Sequence, residues 1–276
     1  MGVIMRPIAE SGFLTVGEQQ LEYRWFAPAA EGRPTLVFLH EGLGCVALWK
    51  DFPEIVARAT GCGTLVYSRA GYGRSSPVPV PRPLRYMHDE GLEALPRLLD
   101  SLDLRNVVLV GHSDGASISL IHAGSGSADR VVGLVLLAPH VFNEDVCVAS
   151  IRQAKDAYVD GDLRPKLQRF HGDNVDCAFW GWNHAWLDPD FYFWNIEEYL
   201  PGVAVPVMVI QGRDDEYGTA VQYECIEANC AGPVQVVVFD QCRHSPHRDQ
   251  GEQTLAAVVD FLSRLPCQPA LASPTA

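Results

Sequence analysis

Twelve residues constrain this chain more than any others: Asn106-Val107-Val108-Leu109-Val110-Gly111-His112-Ser113-Asp114-Gly115-Ala116-Ser117. A β-branched apolar run breaks at Gly-His-Ser-Asp-Gly and resumes as small and aliphatic residues at helical spacing, which spells strand, sharp turn and helix. Glycines two positions before and two after Ser113 remove the side chains that would collide where the chain reverses. Such a turn holds a serine in a strained backbone conformation with its hydroxyl exposed, the geometry of a nucleophile elbow. The bare Gly-x-Ser-x-Gly match is common in loops, so its weight comes from the strand before it and the helix after it.

The rest of the chain repeats the same alternation. Gly17-Glu18 separates Phe13–Val16 from Gln20–Phe26, the pattern of an antiparallel hairpin, behind a loose start over residues 1–12. Continuous apolar runs at Thr35–His40, Thr64–Ser68, Asn106–Val110, Val131–Ala138, Val205–Gln211 and Val234–Asp240 read as strands buried on both faces. Helical segments are expected over about 49–60, after the proline-rich stretch 77–83 to about Leu102, to about Ala123, and over 252–265. Short buried strands alternating with helices predict an α/β fold, a mostly parallel sheet covered on both sides.

Between about His140 and Leu200 the strands stop. This segment holds 12 of the 26 aromatic residues, among them Trp180, Trp182, Trp186 and Trp194, so it is predicted to be a helical insertion. Two roles fit it. It could cover a ligand site, since such sites are lined by aromatics and covered by mobile elements, or it could simply be a helical layer with its own small core. The domain reading is therefore a core of 1–139 plus 201–276, with a disordered tail over about 266–276, and a helical cap over 140–200.

A serine hydroxyl needs a base to take its proton, and the base needs an orienting carboxylate. Beyond the run 205–211 lies Gly212-Arg213-Asp214-Asp215-Glu216, and beyond the run 234–240 lies Cys242-Arg243-His244-Ser245-Pro246-His247. An acid and a histidine thus each follow the carboxyl end of a strand, where open α/β sheets place their sites. The residues alone leave Asp214, Asp215 and Glu216 open for the acid, and His244 and His247 open for the base.

With the elbow, these loops resemble the α/β-hydrolase superfamily over residues 13–265, in its group of small capped, esterase-like serine hydrolases. The resemblance implies an eight-stranded, mostly parallel sheet. It implies Ser113 as nucleophile, Asp215 as the acid of a Gly-x-x-Asp pattern and His244 as the base, with His247 as the alternative. It also implies an oxyanion hole from the N–H groups of Asp114 and Gly42, the latter in the loop His40-Glu41-Gly42-Leu43. The chain departs from the family where Glu41 and Arg243 stand at positions more often glycine. Glu41 reads either as a loop-stabilising carboxylate or, with Leu43 and the four tryptophans 180, 182, 186 and 194, as part of the substrate pocket.

The function these residues imply is that of an ester or thioester hydrolase working through an acyl-enzyme on a small, apolar or aromatic substrate. A C–C bond hydrolase, lactonase or perhydrolase would use the same residues, and a non-catalytic ligand-binding protein is the reading from a different class. No cofactor is expected, and no metal, because the spacing of His244, His247 and the 214–216 acids fits no zinc or calcium pattern. The Gly71–Arg74 loop lacks the lysine and spacing of a phosphate cradle and is expected to be structural. A net charge of −13 argues against a nucleic-acid or anionic-membrane partner. Eight cysteines with no C-x-x-C pair, no basic-then-apolar leader and no apolar run near the roughly 20 residues that span a bilayer point to a cytoplasmic protein, monomer or homodimer.

Overall fold

The computed structural model describes residues 10–29, 32–126 and 128–265. Eight strands form one sheet: β1 (Ser11–Val16), β2 (Gln19–Phe26), β3 (Thr35–Leu39), β4 (Thr64–Tyr67), β5 (Val107–His112), β6 (Val131–Leu137), β7 (Val207–Gly212) and β8 (Val234–Phe239). Their order across the sheet is β1-β2-β4-β3-β5-β6-β7-β8. The hairpin β1–β2 and its junction with β4 are antiparallel, and every other pairing is parallel. This is the mostly parallel α/β sheet that the alternation predicted, with the eight strands that the family resemblance implied.

The interior strands are apolar throughout because both faces are covered. Along β5, Val107 and Leu109 point to one face and Val108 and Val110 to the other, the two-residue period of a pleated strand. The first face packs against α3 (Leu95–Ser101) and α4 (Asp114–Gly124) through Leu95, Leu98, Ile118 and Ile121. The second packs against α1 (Phe52–Thr60) and α10 (Gly251–Arg264) through Val56, Val258 and Phe261. The short α2 (Tyr86–Asp89) precedes α3.

Between β6 and β7 the chain builds α5 (Asp145–Val159), α6 (Leu163–His171), α7 (Val175–Trp186) and short 3-10 turns, with no strand among them. The aromatic side chains of this segment pack largely on one another. Tyr158 stacks on Phe179 at 3.6 Å between ring centroids, and Phe191 on Trp194 at 5.4 Å. After β7 come α8 (Ala220–Asn229) and, after β8, α9 (Pro246–Asp249).

Three boundaries differ from the sequence reading for local reasons. The helix expected from about residue 49 is a 3-10 turn over Val46–Trp49 and then α1, separated at Lys50, whose φ of 55° leaves the helical region. Strand β7 starts at Val207 because Pro206 has no N–H for the ladder, though its carbonyl still accepts from Leu134 at 3.0 Å. Helix α8 was not anticipated. Only Gln222 and Ile226 of its ten residues are buried, so it shows almost no apolar stripe. Residues 1–9 of the expected loose start and the expected tail 266–276 lie outside the described residues.

The strand order matters for the site. From β3 the chain moves outward to β4, then returns to place β5 on the other side of β3. The winding reverses there, so the carboxyl ends of β3 and β5 flank a crevice. Leu39 and Gly111 are register partners. The loop after Leu39 and the turn after His112 therefore emerge side by side.

Candidate active site

Ser113 sits at φ 52° and ψ −118°, a conformation costly for a residue with a Cβ, at the junction of β5 and α4. Its own N–H donates to Leu137 O at 2.9 Å, and its carbonyl accepts from Ala116 N at 2.8 Å, so both neighbours hold the turn. The flanking glycines are needed for close approach. A methyl group on Gly115 would overlap the carbonyl oxygen of Leu39, and one on Gly111 would lie 2.6 Å from Ala116 Cα. Both obstacles are backbone and cannot yield. Gly115→Ala is expected to destabilise the protein by about 1–3 kcal/mol or more. Gly251→Ala, in open space at the start of α10, should stay within about 0.5 kcal/mol in the same urea titration.

The structure places Asp215 and His244 together. The Nδ1–H of His244 donates to both Asp215 oxygens, each at 2.9 Å. The carboxylate also accepts from Gln211 Nε2 at 2.6 Å and from the Tyr217 N–H at 2.8 Å. Burial pushes the Asp215 pKa up, but the His244 charge and the hydrogen bonds from His244 and the Tyr217 N–H outweigh it and hold it down at about 2. For His244, burial alone would lower the pKa, and the Asp215 carboxylate reverses the sign, leaving it raised. With Nδ1–H committed to Asp215, Nε2 is left as the ring nitrogen without hydrogen in the neutral tautomer. His140, 5.5 Å from His244 ring to ring, is driven to about 3 by burial and stays neutral.

No hydrogen bond joins Ser113 Oγ to His244 among the described residues. Their loops meet instead through His112, whose Nε2 lies 2.7 Å from the main-chain oxygen of His244.

His247 lies elsewhere. Its ring packs on Trp49 at 4.9 Å and Phe52 at 5.6 Å, and burial holds its pKa well below the ordinary histidine value. Asp215 pairs with His244, not with His247. Of the other acids, Glu216 accepts from the His244 N–H at 3.3 Å and meets Arg243 at 3.1 Å.

The loop after β3 is held by its own histidine and by an arginine. His40 donates from Nδ1 to Glu41 O at 2.7 Å and accepts at Nε2 from the Arg69 N–H at 3.1 Å, which fixes a neutral tautomer. Arg69, fully buried, donates to His40 O at 2.5 Å and Glu41 O at 3.2 Å. With both carbonyls turned toward Arg69, the Gly42 N–H has no acceptor among the described residues. Asp114, the first residue of α4, likewise has an N–H outside the helical ladder. Its side chain is drawn aside by the Tyr86 hydroxyl, which donates to Oδ2 at 2.6 Å and itself accepts from Trp186 Nε1 at 3.0 Å. Arg69 and Tyr86 are contributors the sequence reading missed; the loops and helices that carry them are far from Ser113 in the chain, and no local pattern marks them.

The four tryptophans part company. Trp182 alone closes on the loop after β3: a side chain on Gly42 would overlap its indole Nε1 and Cδ1. Trp186 is buried against Phe191 and Trp194, and Trp180 packs on Tyr158 and His184. Those three pack within the helical segment, and Trp186 also reaches beyond it, donating to Tyr86 and packing edge-on against His140 at 5.4 Å. Leu43 is half-buried, with its carbonyl 3.0 Å from His171 Nε2. The Glu41 carboxylate turns toward His112 at 3.4 Å and Arg248 at 3.7 Å, not into open space. Among the described residues no group of three or more His, Cys, Asp or Glu could hold a metal, and no helix is long and apolar enough to cross a membrane.

Residues 36–258 match the Alpha/beta hydrolase family. The chain belongs to this family. It is 29% identical over 223 residues to the N-formylmaleamate deformylase of Pseudomonas putida, covering 72% of this chain and 78% of that one. It is 19% identical over 280 residues to a proline iminopeptidase of Lactobacillus acidophilus, covering 88% and 94%. Among solved structures, the enol-lactonase of Burkholderia xenovorans superposes with a TM-score of 0.68 at 18% identity, over 92% of this chain and all of that one.

Proposed function

We propose that this member of the alpha/beta hydrolase family is a serine hydrolase that cleaves a carboxylic ester or thioester through an acyl-enzyme. One observation carries the reading: His244 is locked by both Asp215 oxygens, with its other ring nitrogen free, on a loop tied to the strained Ser113 elbow. Ser113 Oγ attacks the carbonyl carbon while His244 Nε2 takes its proton. The negative charge on the carbonyl oxygen is received by the N–H groups of Gly42 and Asp114. Collapse of this intermediate expels the alkoxide or thiolate, which takes the proton from His244. Water then repeats the sequence on the acyl group, restoring the Ser113 hydroxyl and releasing the acid.

Residues 140–200 act as the cap over this site, with Trp182 as the wall beside Gly42. An indole wall supports an apolar or aromatic acyl or alcohol group. The same apparatus serves amide, lactone and C–C substrates, and the deformylase relative favours an N-formyl amide as the second reading. A panel of p-nitrophenyl esters, acyl-CoA thioesters, lactones, N-formyl amides and vinylogous diketones decides between them. Turnover of aromatic or long-chain esters above acetate is the expected result. No turnover of any ester, with amide or C–C cleavage in its place, overturns the ester assignment. Covalent labelling by a fluorophosphonate is expected at Ser113, and folded protein that resists the probe would return the non-catalytic, ligand-binding reading.

A further inference from the structure

Asp114 brings a carboxyl group to the place where one is least welcome. As the first residue of α4 it carries one of the two N–H groups assigned to the oxyanion. An acid in the first turn of a helix is drawn to the free N–H groups and the positive pole found there. A carboxyl group so placed would occupy a donor that the developing oxyanion needs. Yet the Asp114 side chain turns away. It accepts from no backbone N–H among the described residues, and its Oδ1 has no hydrogen-bond partner among them.

One hydrogen bond holds it aside. The Tyr86 hydroxyl donates to Asp114 Oδ2 at 2.6 Å and accepts from Trp186 Nε1 at 3.0 Å. An indole N–H can only donate, so the single hydrogen of the hydroxyl goes to Asp114. Tyr86 and Asp114 are both buried, where such a bond is not weakened by solvent. Arg69 lies 3.9 Å from the same oxygen but donates to the carbonyls of His40 and Glu41. Burial pushes the Asp114 pKa up, against Arg69 and the bonds from Tyr86 and Trp186. Charged or neutral, its oxygens accept from the same N–H groups.

Tyr86 is in turn gripped by the segment between β6 and β7. Its ring stacks on Phe191 at 6.4 Å, and Phe191 meets Trp186 edge-on at 5.0 Å. The contacts thus run from that segment through α2 to the first residue of α4.

We propose that Tyr86, held by Trp186, is a positioning residue that keeps the Asp114 carboxyl off the N-terminus of α4 and so leaves the Asp114 N–H open to the oxyanion. The inference rests on the roles given above to Ser113 and the Asp114 N–H. It gives residues 140–200 a second task, because the docking of that segment sets the state of an oxyanion donor. Tyr86 acts through Asp114, not on the reacting atoms.

Kinetics and a crystal structure of the full-length protein test this. Tyr86→Phe removes the hydroxyl and keeps the ring. On the best ester of the panel it is expected to lose about 10- to 10²-fold in kcat, up to the low end of the loss of a whole oxyanion donor. KM should change by less than about threefold, because the donor matters only in the transition state. Adding Asp114→Ala takes away the carboxyl and keeps the N–H. The double variant should turn over at least about fivefold faster than Tyr86→Phe alone. A crystal structure of Tyr86→Phe is expected to show the Asp114 carboxyl accepting from an N–H in the first turn of α4.

A Tyr86→Phe enzyme within about threefold of the parent kcat, a double variant no faster than the single one, or an unmoved Asp114 carboxyl in that crystal overturns the proposal. Should Tyr86→Phe not fold, Trp186→Phe, which leaves the Tyr86 hydroxyl without its donor, is compared with and without Asp114→Ala in the same way. Should the parent neither hydrolyse an ester nor take the fluorophosphonate, the functional reading falls, while the crystal structure still decides what holds the Asp114 carboxyl.

Discussion

Replacement of Asp215 by asparagine is expected to cut ester turnover by about 10³- to 10⁴-fold, the scale seen when the orienting carboxylate of a Ser-His-Asp triad is neutralised. Two oxygens of Asp215 hold one ring N–H of His244, and an amide offers only one acceptor and can present an N–H in its place. The imidazole is then free to take the tautomer whose Nε2 bears hydrogen and cannot act as a base.

The pH profile should move in a defined direction. The proposed mechanism needs His244 neutral, and Asp215 raises the His244 pKa above its ordinary 6.5. The acid limb of kcat/KM therefore lies above 6.5, with activity rising as pH rises through it. Asp215→Asn removes the charge that raises it and leaves the burial that lowers it, so the limb shifts to lower pH as the plateau drops. A plateau within about tenfold of the parent, or a limb that moves upward, refutes the assigned pairing of Asp215 with His244.

Ser113→Ala is expected to lose at least about a thousandfold in ester turnover and to stop reacting with the fluorophosphonate. Full activity in this variant would sink the nucleophile assignment. The same position provides a second, independent readout through the backbone. Alanine keeps the Cβ and hence the cost of φ 52°, ψ −118°, so its stability should match the parent's. Glycine populates this region freely, and Ser113→Gly should gain about 1 kcal/mol, reported as a higher urea midpoint at unchanged slope. A serine kept where glycine would be more stable marks a conformation retained for its hydroxyl. Equal stability of the Ser113→Ala and Ser113→Gly proteins would show that the turn stores no strain.

Much of this architecture is local and so was legible in the sequence. The two-residue and 3.6-residue periods of Val107–Ala123, the glycines bracketing Ser113 and the apolar runs of β3, β4, β6, β7 and β8 each depend on neighbours a few positions away. The interruption of the strands over 140–200 was legible for the same reason. Where a local signal was weak the reading lapsed: α8 has almost no apolar stripe, and Pro206 shifts the start of β7.

Chain order alone located the loops bearing Ser113, Asp215 and His244, but it left the choice of acid and base to a family resemblance. Which histidine meets a carboxylate was decided by packing, which sends His247 into the cluster with Trp49 and Phe52 and leaves His244 against Asp215. The loop after β3 and the turn after β5 emerge side by side because these strands pair, with Leu39 and Gly111, more than 70 positions apart, brought into register by hydrogen bonds between strands. Arg69 under the His40 and Glu41 carbonyls, Tyr86 on Asp114, Trp182 on Gly42 and Glu41 against His112 are all contacts across that sheet order. The sequence by itself determined the elements and the loops from which chemistry could come. The tertiary structure alone decided which of their side chains meet, because a side chain's partner is set by sheet order and burial, not by its distance along the chain.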